Sequence, residues 1–345
     1  MTVSSQKKIM QVLNGKPVWP LPIWVMRQAG RYLPEYRQVR SSVSGFLELC
    51  YTPKLAAEVT LQPIRRFGFD AAILFSDILV IPDALGLKVS FVENEGPKLE
   101  QVQSMKDLSR LAEELPLERL EPVFETLDIL KTALPSETTL LGFCGAPWTV
   151  ASYMIAGKGT PDQAPARVLA YQDPDFMDAL IDRLVDASIA YLIRQVDAGA
   201  EAVQIFESFG GALPPALFDR LSLDPIGRIA RNLKKARPDA KVIVFVRGGG
   251  KNVEKVARAG FADAIALDWG MDIETVNADY FASVATQGNL DPLALVAGGY
   301  ALGDGVERIR KAARHRPHIF NLGHGIIPQT PVDHVEEMIR RVRES

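Results

Sequence analysis

Cysteine is scarce in this chain, which contains only Cys50 and Cys144. The two lie far apart, and neither belongs to a Cys-x-x-Cys pair or to a Cys/His cluster with the spacing that metal sites use. Their scarcity argues against a metal centre and against a redox-active pair. We therefore expect a protein of a reducing compartment that binds no metal.

An excess of charge of one sign and long apolar runs are also missing. The net charge is −3 with a pI near 5.9, and no run of basic residues is suited to a phosphate backbone, which argues against a nucleic-acid partner. No apolar run approaches the length of a membrane span, and residues 1–11 lack the apolar core of a signal peptide. We expect a cytoplasmic protein without a membrane partner.

No Pro/Gly/Ser-rich linker, low-complexity tract or internal repeat divides the 345 residues. The hydrophobic content of 47% supports a substantial core, and the length could hold one large α/β domain or two average ones. Because nothing marks a boundary, we expect a single domain over residues 1–345.

Short runs of Ile, Val, Leu and Phe alternate with longer segments of helical period, a pattern typical of parallel strands joined by helices. Eight such units, with no GxGxxG motif at the first strand-to-helix turn, favour an α/β fold of the (β/α)8 TIM-barrel type over a doubly wound sheet. The strands are predicted at residues 22–26, 71–75, 139–143, 202–206, 242–246, 264–267, 283–287 and 318–322.

Two local patterns refine this architecture. The segment 87–99, with the turn sequence Glu93-Asn94-Glu95-Gly96, predicts a β-hairpin inserted after the second strand. A long helix is predicted from Pro174 to about Ala198, with Gly199 as its stop. Helices are expected to start where a capping residue precedes a proline, at Thr52-Pro53, Asp173-Pro174, Asp224-Pro225, Asp291-Pro292 and Thr330-Pro331.

Arginine is concentrated just after the first predicted strand, at positions 27, 31, 37 and 40. Gly30 and Pro34 disfavour a regular helix through the first half of this stretch, so Arg27 and Arg31 are expected on a loop. Such arginines often form only surface ion pairs with carboxylates such as Glu35. Because they directly follow a buried strand, binding of a substrate with several anionic groups is the stronger interpretation.

Active sites of (β/α)8 barrels lie at the carboxyl ends of the strands, so the residues that follow each predicted strand are candidates. Asp77 is a lone carboxylate between two apolar runs. It could cap the next helical turn, or accept hydrogen bonds from a ligand and stabilise a positive charge. Tyr153 and His324 follow other strands, where each could equally be structural. The run Arg247-Gly248-Gly249-Gly250 is a weak candidate for phosphate binding.

Five motifs together resemble the uroporphyrinogen decarboxylase family, and they occur in the family's order over nearly the whole chain. They are Met26-Arg27-Gln28-Ala29-Gly30-Arg31-Tyr32-Leu33-Pro34-Glu35, Phe75-Ser76-Asp77-Ile78-Leu79, Gly145-Ala146-Pro147-Trp148-Thr149, Gly288-Asn289-Leu290-Asp291-Pro292 and Asn321-Leu322-Gly323-His324-Gly325.

The resemblance implies a distorted (β/α)8 barrel, generally a homodimer, that uses neither metal nor organic cofactor. It implies a lyase of tetrapyrrole and haem biosynthesis. The expected reaction removes CO2 from the four acetate side chains of uroporphyrinogen III and gives coproporphyrinogen III.

The resemblance also implies roles for individual residues. Asp77 would accept the pyrrole N–H groups and stabilise a cationic pyrrole, and Arg27 would assist proton delivery, which makes these two the expected catalytic residues. Arg27 and Arg31 would hold substrate carboxylates. The other implied substrate contacts are the backbone of Gln28, Ala29 and Gly30 and the side chains of Arg40, Tyr153, Ser208 and His324.

Two alternatives remain open at this point. A corrinoid or thiol methyltransferase of the same superfamily would need thiolate and imidazole ligands for zinc, which Cys50 and Cys144 do not offer. A non-catalytic tetrapyrrole carrier could use the same arginines and the same aspartate.

Overall fold

The computed structural model describes residues 7–92, 95–276, 281 and 284–344. Within these ranges the strands are β1 (Ala71–Ile73), β2 (Val89–Val92), β3 (Gly96–Leu99), β4 (Thr139–Gly145), β5 (Ala202–Glu207), β6 (Lys241–Val246), β7 (Ala264–Ala266), β8 (Ala285–Leu290) and β9 (His318–Leu322). The helices are α1 (Lys8–Leu13), α2 (Pro34–Ser41), α3 (Phe46–Cys50), α4 (Pro53–Phe67), α5 (Val80–Ala84), α6 (Met105–Leu108), α7 (Glu121–Ala133), α8 (Pro147–Ala156), α9 (Ala164–Gln172), α10 (Pro174–Asp197), α11 (Pro215–Phe218), α12 (Asp224–Ala236), α13 (Lys251–Arg258), α14 (Pro292–Ala297), α15 (Gly299–Ala313) and α16 (Val332–Arg343).

Seven strands of the described chain form one parallel sheet in the order β1-β4-β5-β6-β7-β8-β9. Strands β2 and β3 pair separately and antiparallel, with Val89 opposite Leu99. Glu93 and Asn94 of the predicted turn lie outside the described residues, as does Ser283, the first residue of a predicted strand. The central α/β architecture with parallel strands is thus as predicted.

The prediction of a regular strand at residues 22–26 is wrong. Only Ile23 forms a bridge, in parallel with Phe320 of β9. On its other side Ile23 pairs with Asp70 just before β1: the Ile23 N–H donates to the Asp70 carboxylate at 2.9 Å, and the Ile23 carbonyl accepts the Asp70 N–H at 2.8 Å. Pro22 has no N–H to extend a ladder, so a single residue joins the two edges of the sheet.

The sheet is curled, because side chains of non-adjacent strands meet in its interior. The Gln287 amide of β8 donates to the Gln204 side chain of β5 at 3.0 Å, although β6 and β7 lie between these strands. The buried Trp24 indole donates to Gln287 at 3.0 Å. Trp24 therefore reaches the same interior as the strands, and this polar network is satisfied within it.

The predicted helix starts are correct only in part. The side chains of Asp173 and Asp291 cap α10 and α14 through the N–H groups of Phe176 and Leu293. The Thr52 side chain makes no cap bond to α4, and α16 begins at Val332, because Pro331 keeps an extended backbone. Asp224 lies inside a continuous helical stretch that includes a π-helical turn at Asp219–Leu223.

The buried apolar residues form one continuous cluster that extends from Ile9 to Val342. Leucine, isoleucine and valine side chains of the sheet pack against the inner faces of helices such as α10, whose Leu180, Leu184 and Tyr191 are buried. No helix in the described part of the chain is both long enough and apolar enough to cross a membrane.

Replacing Asp70 with alanine tests how the sheet edges are joined. The change leaves the Ile23 N–H without its acceptor, which should lower the free energy of unfolding by about 1–3 kcal/mol. Asp178→Ala is the control, because Asp178 pairs with Arg220 on the surface, where an ion pair contributes about 0–1 kcal/mol. Urea unfolding midpoints measure both effects. Equal losses in the two variants would contradict the special role of Asp70.

Candidate active site

Aromatic rings line the carboxyl ends of neighbouring strands. Phe143 of β4, Phe206 of β5 and Phe245 of β6 contact one another in turn, with ring centroids 5.7 and 6.2 Å apart. The ring of His324, just after β9, lies 6.1 Å from that of Phe245. These ring contacts show that the carboxyl ends of β4, β5, β6 and β9 border one cleft, which is lined by apolar rings.

The loop that carries Arg27 is fixed to both edges of the sheet. The Met26 N–H donates to the Asn321 side chain at 3.0 Å, and the Met26 carbonyl accepts the Ile326 N–H at 2.9 Å. On the other side the Gln28 amide donates to the Ala71 carbonyl at 3.1 Å. Arg27 itself has φ 62°, a left-handed conformation that non-glycine residues rarely adopt and that these contacts hold in place.

Two glycines after β9, Gly323 and Gly325, let the chain pack closely against two other segments, the loop that carries Arg27 and the backbone at Trp269. A Cβ on Gly325 would lie 2.3 Å from Cδ of Arg27, and a Cβ on Gly323 would lie 2.2 Å from the Trp269 backbone nitrogen. Both distances are far below van der Waals contact. The absence of side chains at 323 and 325 therefore positions Arg27, Trp269 and His324 around the same cleft.

Asp77 follows β1 and is partly buried beside Arg27. Its Oδ1 accepts the N–H of Leu79, the residue before helix α5, at 2.8 Å, so Asp77 orders the turn that leads into the helix and does not cap the helix itself. Burial raises the pKa of Asp77 to about 6, against the lowering effects of the Leu79 N–H and the Arg27 charge. Within the described chain, no Lys or Arg nitrogen lies within 4.0 Å of the Asp77 carboxylate.

The Arg27 guanidinium remains exposed although protein surrounds it, as expected for a group inside a concave cleft. Burial lowers the pKa of Arg27, and the Asp77 carboxylate raises it. Tyr153, which follows β4, has a pKa raised by burial and by the charge of Asp77. Burial, with the charges of Arg27 and Arg247, lowers the pKa of His324 to about 3. His324 is therefore a neutral hydrogen-bonding group at physiological pH.

The remaining predicted contacts surround this centre. Gln28 is buried, and its carbonyl accepts the Tyr32 hydroxyl, so Gln28 mainly holds the loop. Ala29 and Gly30 are partly exposed, and Arg31 is exposed close to Arg27.

Arg40 lies on helix α2, and Ser208 directly follows β5. Arg40, in the last turn of α2, donates to the Val43 carbonyl at 3.3 Å. Ser208 stands beside Phe209, whose ring contacts that of Tyr153 at 5.3 Å. The structure brings Arg27, Asp77, Tyr153 and His324 together, with Arg31 close to Arg27.

Glu207 is a site-supporting residue that the sequence reasoning did not select. It ends β5 fully buried, and its carboxylate accepts the hydroxyls of Thr149 and Ser222 and the Phe209 N–H. Thr149 in turn accepts the Ser208 N–H at 2.9 Å. Burial raises the pKa of Glu207 to about 7. A carboxylate at the end of a mostly apolar strand, three residues after Gln204, was the available signal.

Fold and site define the class of protein as an α/β protein with a curled parallel sheet and a polar cleft at the carboxyl ends of its strands. A methyltransferase from Methanosarcina mazei has the same fold, with a TM-score of 0.82 at 18% identity over 99% of this chain and 98% of that one. A putative vitamin-B12 independent methionine synthase from Listeria monocytogenes is more distant, at a TM-score of 0.57 and 12% identity over 95% and 96% of the two chains. Among the described residues, no three His, Cys, Asp or Glu side chains are grouped to share a metal ion.

The sequence narrows this class to one family. The uroporphyrinogen decarboxylase (URO-D) profile matches residues 4–345. Uroporphyrinogen decarboxylases from Agrobacterium fabrum and Brucella anthropi are 53% and 52% identical to the chain, each over 98% of both sequences. The chain belongs to the uroporphyrinogen decarboxylase family.

Stability should depend on pH through Glu207. Its pKa rises from an ordinary 4.5 to about 7 on folding. The neutral form thus contributes stability that is complete below pH 4.5 and is lost as pH rises through 7. Relative to Glu207→Gln, which cannot ionise, the wild-type protein should lose about 1–3 kcal/mol between pH 5 and 8. Urea unfolding at several pH values measures the difference, and a constant difference would show that Glu207 does not titrate in this range.

Proposed function

We propose that the protein is a carboxy-lyase that removes CO2 from the four acetate side chains of uroporphyrinogen III and forms coproporphyrinogen III, without a cofactor. Family membership over nearly the full length supports this reaction. The observation that carries it in the structure is the Asp77 carboxylate. It lies near Arg27 in a cleft lined by aromatic rings, and its Oδ1 accepts the Leu79 N–H. We propose that Oδ2 accepts hydrogen bonds from the substrate.

We also propose the finer architecture that the sequence predicts. In this proposal residues 22–24 take the eighth position of a distorted (β/α)8 barrel, which is one domain over residues 1–345, and β2 and β3 are a hairpin insertion. The contacts of Ile23 with both edges of the sheet support closure. The family resemblance supports a homodimer that acts in the cytoplasm, with no nucleic-acid or membrane partner.

Substrate binding follows from charge and shape. Uroporphyrinogen carries eight carboxylates on a ring with four inward N–H donors, so it needs cations at its edge and an acceptor at its centre. Arg27, Arg31 and Arg40 are proposed to hold edge carboxylates. Asp77 accepts the pyrrole N–H groups.

Polar groups around the cleft complete the proposed binding site. The backbone of Gln28, Ala29 and Gly30 lines the cleft, and Tyr153, Ser208 and neutral His324 supply hydrogen bonds without adding charge.

Loss of CO2 from an acetate requires a place for the two electrons of the broken C–C bond. A proton added to a ring carbon makes the pyrrole cationic, and these electrons then neutralise the ring as CO2 leaves. A second proton, added to the resulting methylene group, forms the methyl group, and loss of the proton first added to the ring carbon then restores the neutral aromatic pyrrole. Asp77 in its ionised form stabilises the cationic ring through a preorganised charge in an apolar cleft. Arg27, whose pKa burial lowers, is proposed to assist proton delivery.

Chromatography of the porphyrins formed from uroporphyrinogen III under anaerobic conditions tests the reaction. The wild-type protein should yield products with seven to four carboxylates. Asp77→Asn keeps the volume but removes the charge, so the rate should fall at least ~100-fold. Asp173→Asn is the matched control, since asparagine caps helix α10 equally well and the rate should not change. Turnover by Asp77→Asn at a near-normal rate would refute the central role of this charge, and binding without product would favour a carrier.

Gly325→Ala should displace Arg27 without unfolding the protein. The added methyl overlaps the Arg27 stem, so we expect kcat/KM to fall about 10–100-fold, as a small misplacement of a catalytic group can cause. Gly45→Ala is the control, because a Cβ there meets no atom within 4 Å and its φ is −146°. Melting temperatures of both variants should stay close to wild type. Unchanged kcat/KM in Gly325→Ala would show that Arg27 placement does not limit the reaction.

A further inference from the structure

The arginines that are proposed to hold substrate carboxylates all lie on one side of the cleft. Arg27, Arg31 and Arg40 lie on the loop and helix that follow residues 22–24, where the edges β1 and β9 meet. A macrocycle with carboxylates around its whole edge presents anions to the opposite side as well. The middle strand of the seven is β6, so the residue that follows it stands across the cleft from Arg27.

That residue is Arg247. Its guanidinium lies 5.4 Å from the centre of the Trp269 ring, over the indole face. The Trp269 ring contacts the ring of His324 at 6.2 Å, edge to face. Arg247 is thus connected through the Trp269 ring to His324, a site residue at the far edge of the sheet, and its stack lies beside the cleft.

A buried carboxylate fixes both partners of this stack. The Asp268 side chain accepts the Gly248 N–H and, through its other oxygen, the Gly270 N–H at 2.9 Å. One group therefore holds the residue after Arg247 and the residue after Trp269. The Arg247 backbone is held as well, because its N–H donates to the Glu207 carbonyl at 2.9 Å. The guanidinium is presented from a rigid base, which reduces the entropy lost on binding.

The charge of Arg247 is not neutralised by the protein. No carboxylate in the described part of the chain lies within 4.0 Å of its guanidinium, whereas surface arginines such as Arg220 and Arg237 have such partners. Arg247 also lowers the pKa of Arg27 and of His324 through repulsion, so its charge lies close enough to both groups to interact with them. An anion between them would relieve that repulsion.

We infer that Arg247, stacked on Trp269, is a further substrate-binding residue that holds a peripheral carboxylate of the tetrapyrrole on the side opposite Arg27. The inference rests on the proposed function for the identity of the ligand. It also gives the Arg247-Gly248-Gly249-Gly250 run a role, with the arginine rather than the glycine backbone as the anion-binding group.

Two measurements on Arg247→Gln test the inference. Titration calorimetry with uroporphyrin III, the stable oxidised octacarboxylate, should give a Kd at least ~10-fold weaker than wild type, as expected for loss of one charge-assisted bond. Steady-state turnover of uroporphyrinogen III should show KM raised by a similar factor, with kcat within about threefold, because the residue binds the edge and not the reacting carbon. Arg247→Lys keeps the charge but lacks the planar guanidinium, so its Kd and KM should lie between those of wild type and Arg247→Gln.

Arg231→Gln is the matched control. Arg231 also stacks on an aromatic ring, that of Phe261 at 5.8 Å, but it lies on helix α12 and its partner precedes β7, at the opposite end of the sheet. Its Kd and KM should equal those of wild type. Trp269→Leu should weaken uroporphyrin binding about two- to fivefold through loss of the stack. Melting temperatures identify any variant whose fold is damaged.

The outcomes separate this inference from the proposed function. If wild type binds uroporphyrin but forms no product, the proposed reaction fails while the binding comparison still decides the role of Arg247. If wild type converts uroporphyrinogen and Arg247→Gln matches it within twofold in both Kd and KM, the inference on Arg247 fails alone. Equal losses in Arg247→Gln and Arg231→Gln would also overturn it, since they would indicate a general effect of surface charge.

Discussion

The site depends on the Asp77 carboxylate, which is held in buried surroundings that disfavour its charged form. Burial raises the pKa of Asp77 to about 6, and only the Leu79 N–H and the more distant Arg27 charge oppose the rise. A direct ion pair would lower that pKa further but would occupy the oxygen that a substrate needs. The cleft instead keeps the Arg27 guanidinium near Asp77 but outside ion-pair distance.

The short segment after Pro22 serves both the fold and the site. Ile23 joins the edges of the sheet, Trp24 enters the interior network, and Arg27 reaches the cleft. Because the segment is held at β1 and at β9, the position of the arginine is set by the closing of the sheet and not by a flexible loop. A site of this kind is formed only when the last strand and the beginning of the chain have come together.

Much of the fold could be predicted from local sequence, since buried parallel strands are short apolar runs and helices between them have their own period. The residues that follow those runs included Asp77, Tyr153 and His324, which the structure places together. Contacts between distant residues could not be predicted in this way. The Ile23 pairing with Asp70, the burial of Glu207 and the stack of Arg247 on Trp269 depend on packing across the sheet, which no short window of sequence contains.

The distribution of the four tryptophans has a practical consequence. Trp24 and Trp148 are fully buried, and Trp19 is covered by Arg310 and Arg314, whereas Trp269 is 42% exposed beside the cleft. A pigment that enters the cleft would accept excitation energy from the Trp269 indole first. The intrinsic emission of the unlabelled protein therefore contains a built-in optical signal for occupancy.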